Sequence, residues 1–293
     1  MKFGVHVMGV SLKSLGQVTR TYEEHGIESA WVPEHLVFPA TMPPEYPYSD
    51  NGLPPVVSET PAYDPWVLLA SLAAVTTTIR LATNIYILPL RHPLQTARSV
   101  VTLDRVSGGR VTLGVGVGWL SDEYEYMGLD FAARGRRADA IIEALRRLWS
   151  DDVIEIHNEH FSFGPVIFQP KPLQKPSIPI EVGGASGAAL RRAGALGDGW
   201  IEIGCTSLED FTAKLKVVKE ARRRAGREHE PFEVTAAAGL GGPGLDGYRR
   251  LGDAGATRLL VGPPRDGATG RLTVEACEEW AKRFGGEVIA KLA

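Results

Sequence analysis

A (β/α)8 barrel is the fold this sequence predicts, on three observations. Eight short apolar runs have strand length, helical stretches separate them, and no series of Pro-rich linkers divides the 293 residues. An open doubly wound sheet is the alternative, and the strand count argues against it. The whole chain, 1–293, is therefore expected to be one domain.

In order, residues 3–7 form the first apolar run, and Leu12, Leu15, Val18 and Tyr22 follow at helical spacing until Gly26 stops the helix. Residues 28–32 make the second strand. Residues 65–75 read as a helix, 79–83 as the third strand, and 92–106 as a helix with Pro93 in its first turn, where a missing N–H costs nothing. The fourth strand, 111–115, precedes a helix at 134–149 whose Ile141, Ile142, Leu145, Leu148 and Trp149 form a wide apolar stripe. Residues 153–168, within an insertion at 151–170, alternate around the turn-like His157-Asn158-Glu159 and predict a β-hairpin. Strands five to eight are expected at 178–182, 200–203, 232–236 and 258–261, with helices at 188–195, 207–225, 244–255 and 272–284. The second strand is followed by a long interruption. Residues 33–65 hold 9 of the chain's 20 prolines, with Phe38, Tyr46, Tyr48 and Tyr63 interleaved. A loop of this length after a barrel strand belongs on the catalytic face, so 36–64 is expected to be an active-site lid; a subunit-contact loop is the alternative.

Hydrophobic residues make up 44% and charged residues 23%, enough apolar material for a large core. A net charge of -3 leaves no Lys/Arg excess for a polyanion-binding face, so nucleic acid is not an expected partner. Cys205 and Cys277 stand far apart and outside any metal-ligand spacing, which predicts reduced, buried thiols and no bound metal. The chain starts on a strand rather than on a leader-like apolar run, and no stretch has the length of a membrane span, so the expected location is the cytoplasm.

In a barrel, chemistry sits just after the strands. Glu34-His35 follows the second strand; a carboxylate beside an imidazole sets its tautomer and raises its basicity, although such a dipeptide is also a common structural pair. Thr83-Asn84-Ile85 ends the third strand, and by residue type alone is a strand end with an Asn turn. Gly114, Gly116 and Gly118 alternate at the end of the fourth, letting another group approach the backbone closely. Trp119-Leu120-Ser121-Asp122 then supplies neither the further glycine nor the immediate helix of a dinucleotide loop. Glu181-Val182-Gly183-Gly184-Ala185-Ser186-Gly187 opens a helix, where uncovered N–H groups and the helix dipole favour an anion; a merely tight turn is the alternative.

Four segments together, residues 30–35 (AWVPEH), 81–93 (LATNIYILPLRHP), 108–123 (GGRVTLGVGVGWLSDE) and 180–200 (IEVGGASGAALRRAGALGDGW), resemble the luciferase-like monooxygenase superfamily. The nearest likeness is to its actinobacterial branch that uses the deazaflavin coenzyme F420. The resemblance spans the first two-thirds of the chain. It implies a (β/α)8 barrel holding an isoalloxazine-like ring, with Glu34 and His35 beside the ring and His35 handling the proton. It also implies a non-prolyl cis peptide at Asn84-Ile85 behind the ring, Gly116, Val117 and Gly118 bordering the ring or its ribityl chain, and a phosphate held by Gly183, Gly184, Ala185 and Ser186. A homodimer is the assembly it implies. One departure concerns the substrate. Some deazaflavin-dependent sugar dehydrogenases of the superfamily carry a catalytic glutamate right after the fourth-strand glycines, where this chain has Trp119; Asp122 and Glu123 come too late for a simple replacement. A more apolar substrate pocket, with Trp119 and Tyr63 in it and the aromatic lid over it, is therefore expected.

The function expected is F420-dependent hydride transfer to or from an organic substrate. An FMN-dependent luciferase-like monooxygenase is the alternative within the same fold. A barrel without a redox cofactor, acting as a binding protein, hydrolase or lyase, is the alternative outside it; the lack of a Gly-x-Ser-x-Gly elbow counts against hydrolysis.

Overall fold

The computed structural model describes residues 1–264 and 272–292. Its elements begin with β1 (Lys2–His6), α1 (Leu12–Glu24), β2 (Ser29–Val32), α2 (Pro65–Ala73), β3 (Arg80–Thr83), β4 (Tyr86–Ile87) and α3 (Pro93–Val106). There follow β5 (Val111–Gly116), α4 (Ser121–Tyr126), α5 (Arg134–Ser150), β6 (Ile154–His157), β7 (Ser162–Val166), β8 (Ile180–Gly183) and α6 (Gly187–Leu196). Then come β9 (Gly199–Ile201), α7 (Leu208–Arg224), β10 (Glu233–Ala237), α8 (Gly244–Asp253), β11 (Arg258–Val261) and α9 (Val274–Phe284), with a π-helical turn at Gly285–Ile289 and α10 (Ala290–Leu292) after it.

Strands β1, β2, β3, β5, β8, β9, β10 and β11 pair in parallel in that order, and β11 returns to β1, closing a (β/α)8 barrel. The expected hairpin is present as the antiparallel pair β6–β7. The sixth barrel strand is shorter than the expected 200–203. The Glu202 carboxylate takes the N–H groups of Cys205 and Ala237, and the chain turns out of the sheet there.

Alternation along the strands sorts the core into two layers. Ala30 and Val32 join the large cluster between sheet and helices, while Trp31, Ala82 and Ile201 meet inside the barrel with Ile85, Ile203 and Leu260 around them. Beneath Trp31 the interior is ionic rather than aliphatic. Arg258, 2% exposed, donates to both oxygens of Glu181 at 2.7 and 3.0 Å, to Thr235 Oγ1 at 2.9 Å and to Glu28 at 3.0 Å. Its guanidinium also faces the Trp31 ring at 5.2 Å. Burial alone would lower the Arg258 pKa, but Glu181 and Glu28 hold it above the ordinary value.

Candidate functional site

The carboxyl ends of the barrel strands meet at a bulge. Ala82 pairs with Thr112 and Tyr86 with Val115, so four steps on one strand oppose three on the other, and the extra residue is pushed toward the barrel axis. The Asn84-Ile85 peptide within it is cis. The Asn84 N–H donates to the Val32 carbonyl, and its side-chain amide donates to His6 Nε2 at 2.9 Å. Ile85 is wedged between two glycines. A Cβ on Gly116 would lie 2.6 Å from Ile85 Cδ1, and one on Gly183 would lie 2.7 Å from its Cγ2. Gly114 and Gly118 are bare for the same reason, facing the Thr83 carbonyl at 1.9 Å and Ile87 Cγ2 at 2.8 Å from a built Cβ. The close approach expected at these glycines is thus made by the chain's own bulge. Val117 uses its carbonyl to accept from the Tyr124 hydroxyl.

Glu34 and His35 leave β2 in different directions. Glu34, 5% exposed, takes the Ile87 N–H at 2.7 Å and an ion pair from Arg91, so it holds the far side of the bulge. Burial pushes its carboxyl above the usual range, against the pull of Arg91 and the Ile87 N–H. The carboxylate against the imidazole is Glu123, with Oε2 2.9 Å from His35 Nδ1. The expected pairing of Glu34 with His35 is therefore corrected. Neighbouring side chains on an extended segment point to opposite sides, and a residue one helical element past β5 reaches the ring instead.

At the start of α6 the Gly184 N–H is spent on the Ile201 carbonyl, and Ser186 Oγ caps the helix by accepting from Ala189 N at 3.2 Å. Gly183 and Gly184 act by having no side chain: a Cβ on Gly184, whose φ is +128°, would stand 2.9 Å from Ala189 Cβ. The Ala185 N–H meets the hydroxyl of Tyr48. The N–H groups at the start of the helix, on Ser186, Gly187 and Ala188, have no described backbone or side-chain acceptor, as first-turn amides characteristically do not. Arg191 folds its guanidinium back over Gly187, 3.2 Å from where a Cβ would be.

Rings connect these two sides. Phe38 lies 4.7 Å from His35, His35 5.9 Å from Trp119, Trp119 5.2 Å from Tyr46 and Tyr46 5.4 Å from Tyr48. Tyr48 packs on Gly204, whose built Cβ would fall 2.3 Å from the Tyr48 ring. Trp119, expected in the substrate pocket, is one ring of this series. Tyr63 is exposed and makes no described ring contact, so the ring that joins the wall is Tyr46.

Sequence reasoning passed over His6 and Arg91, and set Glu123 aside as coming too late to replace a catalytic glutamate. His6 was legible as a polar residue at the end of a barrel strand. Glu123 had a weaker signal, an acid in the first turn of a six-residue helix. Arg91 had none, since its partner stands 57 residues away.

The profile of the luciferase-like monooxygenase family matches residues 1–240. An uncharacterized protein of Mycobacterium tuberculosis (strain H37Rv) is 36% identical over 245 residues, covering 84% of this chain and 83% of its own. The FMNH2-dependent dimethylsulfone monooxygenase of Pseudomonas putida is 32% identical over 130 residues, 43% of this chain and 36% of its own. Among solved structures, the coenzyme F420-dependent tetrahydromethanopterin reductase of Methanopyrus kandleri superposes with a TM-score of 0.76 at 18% identity, covering 100% of this chain and 99% of its own.

Proposed function

The chain belongs to the luciferase-like monooxygenase family, and from that membership we propose that it is an F420-dependent oxidoreductase moving a hydride between the deazaflavin and an apolar organic substrate. The observation that carries this reading is the Ile85 platform, held from below by bare glycines and from the side by Glu34, with His35 on one flank and the α6 amino end at the mouth. A flat ring needs such a platform, and its phosphate needs uncovered N–H groups. When bound, the deazaflavin supplies a two-electron carrier.

The chain's own residues do the rest. The N–H groups of Ser186, Gly187 and Ala188, with Arg191, are suited to hold a phosphate. Ile85, Gly116 and Gly118 shape the ring's bed. Trp119, Tyr46 and Phe38 exclude water and offer an apolar wall to substrate. His35 holds or moves a proton at the ring nitrogen not bonded to Glu123. The expected homodimer rests on the resemblance alone and the cytoplasmic location on the sequence reading alone; among the described residues no helix is long and apolar enough to cross a membrane.

The local likeness to an FMNH2-dependent monooxygenase favours a second reading, with reduced FMN and oxygen on the same platform. The cofactor-free alternative has in its favour only the Tyr48 hydroxyl lying against Ala185. Titration of the purified protein with F420 and with FMN, read by quenching of tryptophan fluorescence, tests all three. Saturable quenching by F420 is expected. Quenching by FMN alone, with oxygen uptake that requires a flavin reductase, would replace the first reading by the second, and no response to either would remove both.

A further inference from the structure

We propose that Glu123 is the positioning residue of the site: it fixes His35 in the tautomer with its proton on Nδ1 and leaves Nε2 available as a proton acceptor. Only the catalytic consequence rests on the reading of His35 given above.

Glu123 is 1% exposed, and both of its oxygens are committed. Oε1 accepts from the Leu36 N–H at 2.6 Å and the Val37 N–H at 3.4 Å, and Oε2 stands 2.9 Å from His35 Nδ1. A carboxylate so engaged only accepts, so the proton between Oε2 and Nδ1 belongs to the imidazole. The two backbone donors cannot change role, which leaves Oε1 no other use. Phe38, tilted at 43°, and Trp119, nearly perpendicular at 75°, pack against the ring. Nε2 has no described partner and is left with a lone pair. When it takes a proton the ring becomes a cation, and Glu123 is already in place to offset that charge. The same carboxylate pins the first residues of the lid, so the position of His35 and the root of the lid are set by one side chain.

The isosteric substitution Glu123→Gln gives a discriminating consequence. Its single oxygen is required by the Leu36 and Val37 N–H groups. Its NH2 group is then turned to His35 Nδ1, which must accept, and the imidazole proton moves to Nε2. The unengaged nitrogen of His35 would then be a donor rather than an acceptor, with little change of shape.

Long-range proton–nitrogen NMR spectra of cofactor-free, 15N-histidine-labelled protein read the tautomer directly, with His35→Asn identifying the signal among the 7 histidines. The expected result is the Nδ1-protonated pattern in the wild type and the Nε2-protonated pattern in Glu123→Gln. An Nε2-protonated wild type would overturn the proposal whether or not the variant folds, as would a folded variant with an unchanged pattern. In the F420-loaded enzyme, Glu123→Gln is expected to lower kcat about 10²–10⁴-fold, the size of a lost general-base contribution, with KM nearly unchanged. Failure to bind F420 would remove the proposed function and leave the tautomer result standing.

Discussion

Gly116→Ala tests whether Gly116 is bare in order to admit Ile85. Gly116 is not among the residues with positive φ, so alanine adopts its backbone freely and any cost must come from contact. The added Cβ would sit 2.6 Å from Ile85 Cδ1 and 2.9 Å from Cγ1, where ordinary contact begins at 3.4 Å. The isoleucine tip must therefore retreat by about 0.8 Å in a close-packed layer. Its retreat is limited on the other flank, where Cγ2 already lies over Gly183. Overpacking of this kind costs about 1–3 kcal/mol. Removing the offending atoms gives the control: in Ile85→Ala only Cβ remains, 3.5 Å from the new methyl, which is ordinary contact. Ile85→Ala alone should cost less than the roughly 2–5 kcal/mol of a fully buried site, because Ile85 is only partly buried. The double variant should then be no less stable than Ile85→Ala, a coupling of about 1–3 kcal/mol. Urea denaturation of the four proteins measures it. Additive losses, or a Gly116→Ala variant as stable as the wild type, would show that the glycine has another purpose.

Arg258→Met leaves the Glu181 carboxylate buried without its cation, and should cost about 3–5 kcal/mol by urea denaturation, whereas Arg258→Met with Glu181→Leu should regain most of that loss. For Glu23, burial alone would raise the carboxyl, but the N–H groups of Thr78, Ile79 and Thr77 bring it below its usual 4.5. A depressed carboxyl contributes stability above the unfolded value and loses it as pH falls through the folded one. The stability difference between wild type and Glu23→Gln should therefore shrink from neutral to acid pH, and a constant difference would contradict the bonding. Burial and the neighbouring Glu202 push the Cys205 thiol up to about 12. Near pH 8 only about one thiol in 10⁴ is then ionised, so a disulfide reagent should modify Cys205 slowly until the protein unfolds; rapid labelling of the native protein would refute this.

The barrel was legible because most of its strands are short apolar runs with a helical period after them. Two pieces at the mouth were not. β4 is only Tyr86-Ile87, too short to alternate, and α4 has six residues with only Glu123 and Tyr124 buried, too few to show a stripe. The glycines announced a close approach, but what approaches depends on the register between β3, β4 and β5, which no local pattern encodes. The Glu34-His35 dipeptide suggested a pair by adjacency, when adjacency in extended chain argues for opposite faces. The true partner of His35 is 88 residues away and becomes its neighbour only because β3 alone separates β2 from β5 in the closed sheet.

On the proposed function, the arrangement of the long loop gives a place where specificity would vary without touching the chemistry. Its first residues are held by Glu123, and its far end by Asp64, whose carboxylate caps α2 by accepting from Trp66 and Val67 N–H at 2.9 and 3.0 Å. Between those anchors its described polar bonds are mostly internal, such as Tyr46 N–H to the Gly52 carbonyl, Ser49 Oγ to the Leu53 carbonyl and Val57 N–H to Thr60 Oγ1. It meets the barrel mouth chiefly through the rings of Phe38, Tyr46 and Tyr48. A segment that satisfies its own backbone and docks by aromatic contact can be re-sequenced at its tip at small cost to the barrel. The bulge at Ile87, His35 and the α6 amino end are instead held by Glu34, Glu123 and Ser186, which follow barrel strands. On the proposed function, substrate choice would reside in the loop, and the handling of the ring and the proton in the strand ends.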